Sequence, residues 1–360
     1  MTALTIPPSS QAKTVRVLDR HGLASALPRL EGCLLRDGPL VELSRHPAWL
    51  NILHRSLGHT PYCLEVVEGT RTCGFLALAY VSSLLFGRFL VSLPYLNYGG
   101  PVADNEETAR MLIDRAVELA DSQNVRYLEL RHELATTHPV LQHSRTDKVH
   151  MRLDLPGSVE QLGKGIGFRV RNRVKKGEKS GLSVFWGGPE LVDDFYAVFN
   201  QNMRDLGTPV YSRELFRATL EQFSDRAELC VVRAGKDPVA AGLLLHGWGV
   251  TEVPSSSSLR SHRDTCANML MFWHLLKRAV ERGQDVFDFG RSSVDSPTME
   301  FKKGWGASPS PSEWQFYLRR GKVGGMQKEN PRYQKFIRIW QHLPLTLTRM
   351  VGPMIVRGIP

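Results

Sequence analysis

The sequence has no stretch of the ~18 uninterrupted apolar residues that a bilayer-spanning helix requires, so no membrane span is expected. Cysteine is sparse. Cys33, Cys63, Cys73, Cys230 and Cys266 are odd in number, scattered and free of C-x-x-C spacing. That argues against a disulfide framework and suits reduced, buried thiols in the cytoplasm. None of the 12 histidines falls into a Ser/His/Asp or metal-ligand spacing, so neither a hydrolase triad nor a metal is expected. The first residues lack a basic segment followed by an apolar core, which argues against a secretory leader. No heptad repeat is present, and no bound cofactor is expected.

What is present is positive charge. The 360 residues carry 46 Lys and Arg against 36 Asp and Glu, a net charge of +10, which favours an anionic partner: RNA, a phosphorylated small molecule or an acidic membrane surface. With 42% hydrophobic and 23% charged residues, the chain has the composition of a globular protein long enough for two domains.

Internal similarity supports that division. Residues 61–81 and 227–248 each read as two apolar strands joined by a charged, glycine-containing turn. Residues 107–132 and 268–293 each read as an amphipathic helix, a polar break and an alternating strand with one internal acid, Glu129 and Asp288 respectively. Helical segments precede each hairpin, at 47–57 in the first copy and at 190–205 and 213–223 in the second. This element order is also that of the acetyltransferase-like N-acyltransferase fold, in which two neighbouring strands splay to admit an acyl donor. The expected fold is therefore α/β (α+β), with two tandem acetyltransferase-like domains of mixed sheets flanked by helices. The first covers 13–148 and the second, catalytic one 149–318. An unstructured segment over 1–12 precedes them. A tail over 319–360 follows, in which Phe336, Ile337, Ile339 and Trp340 alternate with Lys335, Arg338 and His342. This basic amphipathic helix is expected either to pack on the first domain or to touch an anionic membrane.

Two further stretches gather chemistry. In 286–314 an alternating strand ends at Gly290, and Arg291, Ser292, Ser293, Asp295, Lys302 and Lys303 collect beyond it, where α/β sheets build their sites. Between the two copies lies a basic run, Arg169, Arg171, Arg173, Lys175, Lys176 and Lys179, with Val170 and Val174 at helical spacing. It is either a solvated helix face or a phosphate-binding rail.

The residues SLPYLNYGGPVAD (92–104), FRVRNRVKKGEKSGL (168–182), VYSRELFRATLE (210–221), AAGLLLHGWG (240–249) and FDFGRSSVDSPTMEFKKGWGA (287–307) give the chain a family likeness. It resembles the Fem-type peptidyltransferases, and more closely the FemAB-related proteins of PEP-CTERM/exosortase systems. The last segment is the most specific, because Fem-type enzymes show a Tyr/Phe-x-Phe-Lys-x-x-Phe-Gly pattern there. The resemblance implies a cytoplasmic aminoacyltransferase, acting at the inner face of the membrane, that moves an amino acid from charged tRNA to an amine of a phosphorylated cell-envelope precursor. The sequence departs from the family twice. The tRNA-holding helical hairpin of some Fem enzymes has no counterpart, and VPSSSSLR lacks an aromatic used to hold the precursor. Acyl-CoA is the other donor considered, although the acetyl-CoA signature Q/R-x-x-G-x-G/A is absent. A non-catalytic tRNA- or precursor-binding scaffold is the reading from another class.

Lys302 matches the motif lysine, which implies a role at the reacting carbonyl or leaving oxygen. Asp288 and Asp295 are the acids available to take the amine's proton, although the match of Asp288 to Glu129 equally fits a structural acid. Arg291 would bind phosphate or pair with Asp288. The resemblance also implies that Asn97, Tyr98 and Gly99, with the acid Asp104 after them, line the acceptor cleft, and that Arg204 and Tyr211 bind the precursor's phosphates. Ser257 and Arg260 precede a helix start whose backbone N–H groups suit a pyrophosphate.

Overall fold

Two sheets run through the molecule, and each repeats the strand order of the other. In the computed structural model, which describes residues 12–320 and 331–359, the first half runs β1 (Thr14–Leu18), α1 (Arg20–Leu34), α2 (Trp49–Leu57), β2 (Thr60–Glu68), β3 (Arg71–Ser83), β4 (Gly87–Ser92), β5 (Val102–Ala103), α3 (Glu106–Ser122), β6 (Tyr127–His132) and β7 (His143–Arg145). Strand β8 (Lys148–Asp154) closes the first half, and the second half runs α4 (Val159–Gly165), α5 (Phe168–Glu178), β9 (Leu182–Gly187), α6 (Val192–Asp205), α7 (Arg213–Gln222), β10 (Ala227–Ala234), β11 (Asp237–His246), β12 (Val250–Ser258), α8 (Ala267–Glu281), β13 (Val286–Ser293), α9 (Pro297–Gly304), β14 (Ser308–Ser310) and β15 (Glu313–Leu318). Helices α10 (Pro331–Gln341) and α11 (Leu345–Val356) complete it. Residues 1–11 of the segment expected to be unstructured, and 321–330 of the tail, lie outside the described residues.

The first sheet has the order β1-β2-β3-β4-β6-β15-β7, with β5 beside β3, and the second has β9-β10-β11-β12-β13-β8-β14. The halves thus exchange strands. β8 closes the first half but pairs antiparallel with β13, and β15 closes the second half but pairs antiparallel with β6, so each holds in the opposite sheet the place the other holds. The expected second unit ended at residue 318. Its last strand instead belongs to the first sheet, because Trp314, Phe316 and their neighbours bury against β6 and β7.

Alternation along the strands explains the layering. Leu64, Val66, Leu76 and Leu78 face α3, while Cys63, Phe75, Ala77 and Ala79 face the opposite way into a core shared by both halves. That central core joins α1 and α2 to α6 and α7 and reaches Leu229, Val231, Ala241 and Leu243 of the second sheet. Cys230, Val232, Ala240 and Leu244 turn outward under α8. Among the described residues five helices begin with side-chain caps; at α3 Asn105 accepts from Thr108 N (2.9 Å), and at α9 Ser296 accepts from Met299 N (3.2 Å).

The tail does not settle mainly on the first half, as one of its two expected placements had it. Gln341 donates to Asp205 O (3.1 Å) and Asn200 to Leu345 O (3.4 Å), so α10 and α11 seat on α6 of the second half. Only the end of α11 reaches the first, where the Tyr95 hydroxyl meets Arg357 O at 3.2 Å. No helix among the described residues is long and apolar enough to cross a membrane.

The exchange makes a test of independence simple. Residues 13–147 expressed alone lack β15 and leave one side of β6 unpaired, so they should show no cooperative thermal transition by circular dichroism, whereas the whole chain melts cooperatively. A sharp melt of the fragment would show the exchanged strand to be dispensable.

Candidate functional site

Each sheet contains one parallel pair, β4–β6 in the first and β12–β13 in the second, and each pair is short. Beyond Val91 and Glu129 the first pair is bridged by its own loop. Gly99 N and Gly100 N both donate to Arg131 O (3.0 Å each), and Arg131 reaches Leu96 O (2.7 Å) and Glu129 (2.8 Å). That notch is closed. Beyond Glu252 and Asp288 the second pair diverges. Val253–Ser256 on one strand and Phe289–Arg291 on the other become walls of a cleft of about 570 Å³. Asn202 and Met203 of α6 with Leu206 just after it, Asn268 and Phe272 of α8, Phe301 and Lys302 of α9, Tyr211, and Asn97 from the first half also line it.

Gly290 is the pivot. Its φ of +74° is a left-handed conformation that costs glycine little, and a Cβ there would lie 3.2 Å from Asn97 Nδ2. The strand does not stop at this glycine, as its sequence suggests, but continues to Ser293 through a break in the pairing with β8 between Asp288 and Arg291. In that break Gly290 O and Arg291 O accept hydrogen bonds from Lys302 Nζ at 2.9 and 3.1 Å. An ammonium has three donors, so one remains for whatever enters the cleft. Met299 and Lys302, one turn apart on α9, form that helix's buried side. Burial pulls the Lys302 ammonium down to about 8, with Asp288 opposing the shift.

Arg291 also lines the cleft, but it neither pairs with Asp288 nor stands free. Its guanidinium lies 3.3 Å from the ring centre of Trp314, which also carries Arg131 at 4.0 Å. Burial, with Arg131 nearby, lowers Arg291 to about 9. Asp288 lies beneath the floor and is buried. It accepts from the Tyr98 hydroxyl and from Gly290 N (2.6 Å), and Arg152 Nε stands 3.5 Å away. A carboxylate enclosed in this way is structural, which corrects its assignment as the proton acceptor.

Tyr98 is likewise buried rather than lining an acceptor cleft: it stacks on His150 (4.2 Å) and receives a hydrogen bond from Arg152 (2.9 Å). Gly99 is a packing glycine, where a Cβ would lie 2.6 Å from Ser92 O. Asp104 pairs with Arg36 and Arg71 away from the cleft. Arg204 binds Asp205 (2.7 Å) and Leu343 O (3.2 Å) and so secures the tail, not a phosphate. Asp295 is exposed with φ of +55°, and the Lys303 beside it is paired with Glu300 (2.9 Å), whose hydrogen bond is the main cause of that lysine's raised pKa. Ser257 is buried and accepts from Asn202 (3.1 Å), so its neighbours Ser255 and Ser256 line the cleft instead. Arg260 sits at the rim and donates to Asp205 O (3.3 Å). Of the expected residues, the structure gathers Lys302, Arg291, Asn97 and Tyr211. Asn202 was not anticipated, because a single asparagine inside an amphipathic helix carries no signal in spacing, whereas Asn268 stands at the helix start expected to favour a pyrophosphate.

Below the floor lies a cluster of buried acids. Arg152 pairs with Glu42 (2.5 Å) and Glu133 (2.9 Å), and Glu252 accepts from Ser44 N (2.9 Å) and Ser44 Oγ (2.6 Å). Burial raises Glu42 to about 7, against the pull of Arg152, and raises Glu252 to about 8. Among the described residues, none of those lining the cleft is Asp, Glu or His.

On the outer side, α5 packs its Val170 and Val174 into the second core, where a Cβ on Gly177 would lie 3.0 Å from Leu270 of α8. Its Arg169, Arg173, Lys175 and Lys176 are exposed. The first turn of α8, which lines the cleft through Asn268, has N–H groups without intrahelical partners and favours anions.

Comparison with known proteins agrees with this architecture. Residues 168–303 match the family model of the acetyltransferase (GNAT) domain. No curated protein matches the chain in sequence. Among solved structures, FemX superposes with a TM-score of 0.60 at 15% identity, covering 87% of this chain and 98% of its own. L-PGS from Bacillus licheniformis gives 0.54 at 12% identity over 90% and 96%. A tandem GNAT protein from the clavulanic acid biosynthesis pathway gives 0.50 at 13% identity over 84% and 97%. At such identities the likeness is one of fold, and the fold is a FemAB-like tandem of two GNAT domains.

Arg152 is the cation paired with Glu42 and Glu133 and close to Asp288. Arg152→Ala leaves them unpaired and should cost about 3 kcal/mol of stability, read as a lower urea midpoint at unchanged slope. A midpoint unchanged within error would show that the acids are held neutral without it.

Proposed function

We propose that the chain is a Fem-like acyltransferase that moves an aminoacyl or acyl group onto an amine of a phosphorylated cell-envelope precursor. The observation that carries this reading is the open notch between β12 and β13, with the last free donor of Lys302 at its floor. In acyl transfer the amine nitrogen attacks the carbonyl carbon, the carbon–oxygen bond of an ester or carbon–sulfur bond of a thioester breaks, and the leaving group departs with a proton. Lys302 is suited to hydrogen-bond the oxygen on which charge develops. Among the described residues the lining offers no carboxylate or imidazole, so in this reading the amine arrives neutral and its proton leaves with the alcohol or thiol. Asn97, Asn202 and Tyr211 offer polar groups to orient the acceptor, and Arg291 adds positive charge to the floor.

Two donors are candidates for this notch, and different observations favour them. The exposed cations of α5 favour the phosphate backbone of a charged tRNA. The match to the acetyltransferase domain favours an acyl-CoA, with its pyrophosphate at the start of α8. Thermal denaturation with each donor separates the two: the true one raises the melting temperature and supports turnover. If neither stabilises the protein nor is consumed, the enzymatic reading fails and a binding scaffold replaces it.

Lys302→Ala should lower kcat/KM by about 10²–10³ while the fold persists. The charged form is the active one here, and its pKa lies near 8 in the folded protein, so wild-type kcat/KM should fall as pH rises through about 8. Lys302→Arg should retain part of the activity and lose that alkaline limb. An unchanged limb in the arginine variant would assign the titration to another group.

A further inference from the structure

Helix α11 buries one side and leaves the other bare. Thr348, Gly352 and Val356 recur every four residues and are buried, Gly352 so closely that a Cβ would lie 3.0 Å from Val210. Leu347, Met350 and Met354 fall on the opposite side, Met350 72% and Met354 68% exposed. Helix α10 adds exposed Phe336 and Ile339. The end of α11 abuts the turn between β3 and β4, since a Cβ on Gly358 would lie 2.6 Å from Ser83 Oγ and 3.1 Å from Phe86. That turn holds Leu84 at 107% and Leu85 at 80% exposure, extending fully into solvent. Single exposed leucines are ordinary on proteins, but apolar side chains converging from two segments are not.

Within the two segments that form this surface, charge has one sign. Residues 330–360 contain no Asp or Glu but include Arg332, Lys335, Arg338, Arg349 and Arg357, and residues 72–103 contain no acid but include Arg88. Lys335, Arg338, Arg349, Arg357 and Arg88 are all exposed. The face is also fixed rather than trailing, because Tyr95 holds Arg357 O and Gln341 holds Asp205 O.

We infer that this surface seats the protein on an anionic lipid bilayer. Leu84, Leu85, Met350 and Met354 enter the boundary between headgroups and acyl chains, and the flanking cations meet the headgroup phosphates. A second copy of the chain is a poorer occupant, since a two-fold interface here would set these cations against one another. The seat adjoins the cleft: α6, which holds α10 at Asp205, lines the cleft with Asn202 and Met203. The inference does not depend on which donor or acceptor the cleft takes.

Co-sedimentation with vesicles tests it. The full chain should pellet with vesicles of phosphatidylglycerol and phosphatidylcholine in equal parts, less so as salt rises, and stay in solution with phosphatidylcholine alone. Arg338→Gln and Arg357→Gln should each weaken binding roughly fivefold. The double variant Met350→Asp with Met354→Asp should weaken it at least tenfold, with circular dichroism and Tm unchanged; should that variant fail to fold, the two Gln variants carry the test. Failure to pellet, or equal binding by the variants, overturns the proposal. So does a stable dimer in lipid-free solution that the Met double variant dissociates, since that assigns the face to a second copy.

Discussion

The reciprocal exchange of β8 and β15 is the constraint from which the site follows. Each half completes its sheet with a strand that the chain supplies from beyond it, so neither sheet is whole until both halves have met. The exchange also delivers side chains. β8 carries Arg152 to the side of Asp288 and Glu42, and β15 carries Trp314 beneath Arg291 and Arg131. Cleft geometry is thereby tied to global folding. Long-range pairings of this kind form late and slowly, since loop-closure entropy must be overcome before the contacts form.

The floor of the cleft contains more ionisable groups than a core of this size would hold without reason. Burying a charge costs several kcal/mol unless partners and hydrogen bonds restore what water gave. Here each acid has its own device: Asp288 takes a tyrosine hydroxyl and a backbone N–H, Glu42 takes an arginine, and Glu252 takes a serine backbone and hydroxyl. His150, stacked on Tyr98 among cations, is held neutral by burial with Arg152, Arg291 and Lys302 nearby. Together these groups fix the backbone at Gly290, whose carbonyl grips Lys302, so the position of the lysine is set by a network that no substrate touches.

Much of the architecture was legible because it is written in periodicity. The hairpins, the α3–β6 and α8–β13 units and their duplication follow from alternation and helical spacing, and Lys302 from a motif of adjacent residues. Pairings at long range were not legible. Nothing in the sequence near Asp288 announces Tyr98, 190 residues earlier, as its partner, or shows that Asp104 is spoken for by Arg36 and Arg71. An acid inside an alternating strand looks the same whether it faces solvent, a ligand or a buried arginine. Arg204 misled for a related reason: the resemblance implies a phosphate ligand there, but the tail carbonyl at Leu343 takes the phosphate's place. Helix α1, interrupted by Pro28 and weakly amphipathic, also gave little signal.

Duplication raises the question of why only one notch is open, and a single position answers it. The two parallel pairs align Glu129 with Asp288, each opposite the last paired residue of its neighbour, Val91 and Glu252. Two residues further along, the first copy has Arg131 and the second has Gly290. The arginine fills its notch: it bonds Glu129, reaches Leu96 O, lies over Trp314, and its carbonyl holds the loop at Gly99 and Gly100. Glycine has nothing to put there. Its left-handed backbone turns its carbonyl toward Lys302 instead, and the space Arg131 occupies in one half becomes the cleft in the other. The same strand pair thus serves as a rigid joint in the first half and as an opening in the second, and the closed copy supplies Asn97 to the wall of the open one.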